Sequence, residues 1–299
     1  ALRADMELQE PKALAGDDDE DQSSTAESVE DVWALLQGAA AHDEESSDEE
    51  PCVDKLRSSP VQLEDGSSAL RSSGICRLKV PLEAYAPLRG LAEALLEPGA
   101  WRTVLATEHG QELQLGLGWP RLRLHNSVGS DRLLWVYAAD EGAMSAFETL
   151  AEAVAARVEA GACGEPALRL CAGSLVVLRA NGARDSEVFA HRDWALPELP
   201  HVPELPPRSA FTVLAPLVLP EGSAGLEVYD SAGRLEGVAE YALGEAIAFD
   251  NMCLHRTQPG RSPTRILASL SFAPTRAGLW SAAERVLRVQ TPSFYRGIA

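Results

Sequence analysis

The sequence predicts a mostly β, α+β protein: a disordered acidic tail, a layer of supporting helices, then an antiparallel sandwich or barrel, of which the jelly roll is one type. Three observations predict it. The acidic charge is confined to the first quarter of the chain. The hydrophobic period changes from 3.6 to 2 after about residue 160. Turn residues then punctuate the rest at short intervals.

Residues 1–75 hold 20 acidic and 5 basic residues, a net of −15, whereas 76–299 hold 25 and 21, a net of −4. Runs such as Asp17-Asp18-Asp19-Glu20-Asp21 repel themselves and offer nothing apolar to bury, so 1–75 reads as disordered. Ser28 to Ala40 interrupts this tail. An N-cap is followed there by Val29, Val32, Trp33, Leu35 and Leu36 at helical spacing. Residues 28–40 are therefore a candidate docking helix for a protein partner; the competing account is a transient helix, because short isolated helices are marginal in water.

Residues 76–167 read as a mixed support region. Leu91–Glu97 is a helix stopped by Pro98-Gly99, and Trp101–Leu124 alternates like strands. Leu133–Ala138 is a short strand. Glu141–Ala160 is the clearest helix, with Met144, Phe147, Leu150, Val154 and Val158 on one face and Gly161 as its stop. Helices then vanish from the pattern. Strands are expected at Leu168–Ala180, Val188–Asp193, Ala210–Leu219, Leu226–Tyr229, Gly237–Leu243, Glu245–Asp250 and Thr264–Phe272, within a core domain of 168–280. Leu196–Pro207 carries five prolines and reads as a rim loop; 281–299 is left as a C-terminal extension.

Several function classes fall away. An acidic chain without a basic stripe has no footprint for nucleic acid, since phosphate contacts need clustered Lys and Arg. No apolar run reaches 18 residues, so no membrane-spanning helix is expected. The five cysteines are odd in number and lack C-x-x-C spacing, which fits a reducing, intracellular and cytoplasmic setting; a targeting segment ahead of Ala1 would not be legible here. There is no G-x-S-x-G and no phosphate-binding P-loop, and Gly116-Leu117-Gly118 lacks the third glycine of a dinucleotide fold.

Three features of the β-rich half carry chemistry. His191 and Asp193 stand two apart on an expected strand, so an imidazole and a carboxylate point to one face. His255 adds a second imidazole. Two His and one carboxylate on one side of a metal leave the remaining positions open, the arrangement iron(II) oxygenases use. Arg265 follows at the head of a strand, where a guanidinium can hold the far carboxylate of a chelating oxo-diacid. The competing accounts are a rim His191 bonded to Asp193, a satisfied core His255 and an ordinary strand charge at Arg265. Cys253, two residues before His255, also raises a zinc alternative.

Residues 168–274 resemble the double-stranded β-helix (jelly-roll) core of the Fe(II)/2-oxoglutarate-dependent oxygenase superfamily. The matching stretches are Phe189-Ala190-His191-Arg192-Asp193-Trp194, Gly244–Asn251, Cys253-Leu254-His255 and Arg265–Phe272. The motif separation is similar to the prolyl-hydroxylase-like branch, and the ending to the aspartyl/asparaginyl-hydroxylase branch. The first usually has Lys where Arg265 stands and the second usually lacks the carboxylate of Asp193, so neither substrate class carries over. The resemblance implies Fe(II) on His191, Asp193 and His255 and 2-oxoglutarate on Arg265, with Thr212 or Ser269 assisting its far carboxylate. It implies conversion of 2-oxoglutarate and O2 to succinate and CO2, coupled to hydroxylation of a small-molecule or peptidyl substrate. Leu217, Ile247, Phe249, Leu267 and Leu270 are expected to wall the interior, and Trp194 either lines the entrance to the site or packs beneath the proline loop. The rival from another class is a non-catalytic jelly-roll scaffold that recruits a partner through its acidic tail.

Overall fold

The computed structural model describes residues 60–97, 104–107, 110–116, 118–125, 133–159, 168–179, 189–194, 205–259 and 262–290. The elements run α1 (Ser67–Ser73), β1 (Ile75–Lys79), α2 (Leu82–Leu96), β2 (Val104–Thr107), β3 (Gly110–Gln114), β4 (Arg121–His125), β5 (Leu133–Ala138) and α3 (Glu141–Glu159). They continue with β6 (Leu168–Leu178), β7 (Phe211–Val218), β8 (Leu226–Tyr229), β9 (Leu235–Ala239), β10 (Glu245–Asp250), β11 (Leu254–Thr257), β12 (Arg265–Pro274) and α4 (Ala277–Gln290). The expected tail over 1–59, its segment 28–40 and most of the proline-rich loop lie outside the described residues.

The fold is a mostly β jelly roll. Nine strands form one antiparallel sheet in the order β1-β10-β7-β12-β6-β5-β4-β3-β2, and three form a second in the order β11-β8-β9. Strand alternation decides what each face does. Ile266, Ala268, Leu270 and Phe272 of β12 join Val213, Ala215 and Leu217 of β7 in one core with Leu88, Phe147 and Leu150 from the helices. The opposite face of β10 meets the small sheet, where Ile247 and Phe249 pack with Leu226, Val228 and Ala239. The helices thus cover one side of the large sheet, and the small sheet covers part of the other. Leu217 and Leu270, expected to wall the interior, face the helices instead. Their alternation was legible; which side held the helices was not.

Close approach between layers has a local cause. A Cβ at Gly173 of β6 would stand 2.8 Å from Phe147 Cδ1, so the glycine lets α3 lie directly on the sheet. Residues 60–75, assigned to the disordered tail, are built in: Pro60 bridges Val238 on the edge strand β9, and α1 ends at Gly74, whose φ of 81° serves as a left-handed cap. α2 starts nine residues before the expected Leu91. It carries Pro87 within its length and is kept helical by the buried face of Tyr85, Leu88, Leu91 and Leu95.

Three other expectations change. Val188–Asp193 is not a regular strand: among its described residues only His191 makes a bridge, to His255. β9 begins at Leu235 and ends at Ala239, ahead of the expected Leu243. Helices do not vanish after residue 160, because α4 spans Ala277–Gln290 and buries Trp280, Ala283, Val286 and Leu287. Those four recur at helical spacing, a signal that the strand-rich surroundings obscured.

Candidate metal centre

The turn that leads into β11 sets up the first candidate ligand. Asp250 accepts the Met252 N–H on Oδ1 at 2.8 Å, and the Cys253 N–H donates to the Asp250 carbonyl at 3.2 Å. Burial raises the Asp250 pKa; the Met252 N–H and the Arg208 guanidinium pull it the other way. Asn251 fixes the flank, donating to the Pro206 carbonyl at 3.0 Å and accepting from the Ser209 N–H at 3.2 Å. The chain then enters β11 with His255 pointing inward, its ring 4.3 Å from that of Phe249.

His191 is tied to β11 by two backbone bonds, its N–H donating to the His255 carbonyl at 2.9 Å and the His255 N–H donating back at 3.0 Å. This short pairing brings the His191 segment alongside the small sheet. Arg192 Nε adds a bond to the Met252 carbonyl at 3.0 Å, and the chain turns at Asp193 and Trp194.

The three candidate ligands meet. One ligand atom from each of His191, Asp193 and His255 lies within 4.8 Å of the others, and both Nε2 atoms are 3.3 Å from the same Asp193 Oδ1. Two donors bound at about 2.1 Å and at right angles stand about 3.0 Å apart, so the spacing fits ligands on one face of a metal. His191 Nδ1 faces the Phe189 carbonyl at 2.9 Å and His255 Nδ1 faces the Cys253 carbonyl at 3.2 Å. A carbonyl only accepts, so each Nδ1 carries its proton there and each Nε2 is left for a metal.

The electrostatics suit a cation. Burial alone would push the Asp193 pKa up; the His255 charge and hydrogen bonds from both histidines outweigh it and hold the carboxylate well below its usual range. Burial likewise works to lower the His191 pKa, but the Asp193 hydrogen bond and charge win and raise it. His255 and Asp193 are largely enclosed, with side chains 6% and 26% exposed, while His191 is 44% exposed and marks the open side. Phe189 and Met252 stand out from the surface beside it. Cys253 is not in the ligand cluster, and burial pushes its thiol up to about 12.

Arg265 lies deeper. It is 1% exposed, and its Nε and Nη1 have no hydrogen-bond partner among the described residues. No carboxylate among the described residues pairs with it. Its Cζ is 4.9 Å from the ring centre of Tyr241, a residue the sequence reading did not single out. Tyr241 packs against the Ile247–Phe249 cluster, and burial raises its phenol pKa against the pull of the Arg265 guanidinium. It follows β9 in an irregular stretch without motif spacing, so nothing in the sequence marked it.

Register does not bring the other two expected groups to Arg265. Ser269 is four positions along β12, on the order of 13 Å. Thr212 is opposite Ser271, six positions along and on the order of 20 Å away, with its Oγ1 buried and unpartnered. Trp194, expected either at the entrance or under the loop, is 4% exposed and packs with Trp280 and Val286 of α4.

No family model matches the chain, and no curated protein matches it. Solved structures are similar to it at low identity. AviO1 from Streptomyces viridochromogenes Tue57 is 17% identical over 72% of this chain and 97% of that one, with a TM-score of 0.46. An oxidoreductase of the 2OG-Fe(II) oxygenase family from Burkholderia pseudomallei is 14% identical over 71% and 96%, with a TM-score of 0.42. HygX from Streptomyces hygroscopicus, with nickel and 2-oxoglutarate bound, is 15% identical over 70% and 86%, with a TM-score of 0.44. At that distance the residues themselves, not the likeness, carry the function.

Proposed function

We propose that this chain is an Fe(II)- and 2-oxoglutarate-dependent dioxygenase that hydroxylates a small-molecule or peptidyl substrate. The observation that carries the proposal is Arg265. A guanidinium buried without a counter-charge costs several kcal/mol, which an arriving carboxylate returns. Arg265 sits in the same interior as the His191–Asp193–His255 cluster, joined to it through Tyr241 and Phe249. One ligand satisfies both ends: an oxo-acid group for the metal and a second carboxylate for the arginine.

His191, Asp193 and His255 would hold the metal, their Nδ1 protons parked on backbone carbonyls so that Nε2 is free. When bound, iron and 2-oxoglutarate supply the oxidation: O2 is split, one atom going to succinate, formed with CO2, and the other to the substrate. Arg265 would orient the cosubstrate and pin its far end, with the N–H groups of Nε and Nη1 unused. Phe249, Ile247 and Val228 keep water from the inner space. The exposed side of His191 is where a substrate would approach. A non-catalytic scaffold would leave a buried Arg265 with no anion among the described residues and no physical reason for it.

The full chain, prepared without oxygen and given iron(II) and 2-oxoglutarate, should form succinate slowly once O2 is admitted, even with no substrate. His255→Ala should reduce this to background. Arg265→Ala should raise the 2-oxoglutarate requirement on the order of 100-fold while leaving metal binding intact. A wild-type chain that binds neither metal nor 2-oxoglutarate ends the proposal.

A further inference from the structure

Asp250 is the last residue of β10, where the chain leaves the large sheet for β11 of the small one. Its N–H donates to the Gly74 carbonyl at 2.8 Å, and its Oδ1 accepts the Met252 N–H at 2.8 Å. Its Oδ2 stands 3.5 Å from Arg208 Nε. The other two nitrogens of Arg208 reach α1, Nη1 donating to the Arg71 carbonyl and Nη2 to the Ser72 carbonyl at 2.9 Å. These are carbonyls that a helix end leaves without an intrahelical partner. One guanidinium thus ties a buried carboxylate to the end of α1. Two backbone features serve this contact. Among the described residues Arg208 is the one non-glycine in the left-handed region, with φ 61°, a conformation that persists where the surroundings hold it. Gly74 makes the room, because a Cβ there would stand 2.8 Å from Asp250 Oδ2. Asn251 closes the other flank through its bonds to the Pro206 carbonyl and the Ser209 N–H, on either side of Arg208.

We infer that Arg208 and Asp250 are positioning residues for the metal centre, acting as one unit on the turn 251–253. This rests on the proposed function and adds no ligand to it. The turn carries His255, five residues after Asp250. The backbone of His255 in turn holds His191 through two hydrogen bonds, so a shift of the turn moves both imidazoles against Asp193. The two Nε2 atoms share one Asp193 oxygen at 3.3 Å, and partners that orient ligands in this way tune metal affinity without touching the metal. Arg208 is suited to a positioning role rather than a packing one. Its side chain is 48% exposed, so little core goes with it, yet it joins α1 to the carboxylate that shapes the turn.

The test uses the full chain under conditions where denaturation curves show each variant folded. Manganese(II) affinity is measured by calorimetry, and the visible bands of the cobalt(II)-loaded chain report ligand geometry. Arg208→Gly removes the guanidinium and leaves a residue that adopts a φ of 61° freely. It should weaken manganese binding about tenfold and shift the cobalt bands. Asp250→Asn keeps an acceptor for the Met252 N–H but loses the charge that Arg208 holds, and should act alike. The double variant should bind no more weakly than the weaker single one, as residues in one unit do. Arg208→Lys, which returns a cation to Asp250, should recover part of the affinity. Wild-type manganese affinity with unchanged cobalt bands in Arg208→Gly overturns the inference, even with a lowered denaturation midpoint, because the pair then only stabilises the fold. Additive losses in the double variant overturn it as well, since the two residues then act separately. Should Asp250→Asn not fold, Arg208→Gly against Arg208→Lys decides alone. A wild-type chain that binds neither manganese nor cobalt ends the proposed function, and this inference with it.

Discussion

The two faces of β12 solve opposite problems with alternate residues of one strand. Toward the helices, Ile266, Ala268, Leu270 and Phe272 meet a complete apolar partner set in α2 and α3. Toward the small sheet, Arg265 and the hydroxyl of Thr212 on neighbouring β7 are buried with no partner for the atoms that need one. On the first face the β12 side chains are all apolar and packed. The second carries a buried cation with no anion among the described residues, and that is the observation on which the proposed function rests.

The largest expected effect separates the faces by stability. Phe147→Ala removes a fully buried ring from the helix side and should cost about 3–5 kcal/mol in chemical denaturation. The folded fraction should bind manganese(II) with wild-type affinity. A loss of metal affinity beyond the loss of folded protein would show that the two faces are coupled.

Under the proposed function a proton competes with the metal at His191, which gives the next effect. The folded pKa of His191 is raised above its ordinary 6.5: burial lowers it, and Asp193 more than reverses this. For the metal-free chain, the imidazolium therefore contributes stability that is fully present below the unfolded pKa of about 6.5 and is lost as pH rises through the folded value. Metal binding needs the neutral ring, so its apparent affinity should fall about tenfold per pH unit below the folded value. Manganese titrations from alkaline to acid pH check this, and a flat profile would remove His191 from the ligand set.

The smallest effect tests whether the inner face is truly unfinished. Thr212→Val keeps the shape and deletes an unpartnered hydroxyl, so the free protein should gain about 1 kcal/mol in thermal or chemical denaturation. Destabilisation instead would mean that the hydroxyl is already satisfied.

Much of this was legible beforehand, and what was missed has physical causes. The helix of Phe147, Leu150 and Val154 and the strands around Thr212 and Leu267 have strong periods, and periodicity reports one buried face. It does not report what lies on that face, which is why Leu217 and Leu270 were placed on the wrong side. α4 was missed because Trp280, Ala283 and Val286 follow a long run of strands. His191 and Asp193 were expected to converge through strand alternation; they converge through a turn held by two backbone bonds to His255.

By itself the sequence determined which residue types were available for the proposed metal and carboxylate, because ligand chemistry resides in side chains and His191, Asp193, His255 and Arg265 are side chains of those types. Tertiary structure alone decided depth and company. It buried Arg265 with no counter-ion among the described residues, set Tyr241 against it, and placed Thr212 and Ser269 farther along their strands. Alternation fixes the face a residue points to, but its position along the barrel follows from inter-strand register, which only the assembled sheets specify.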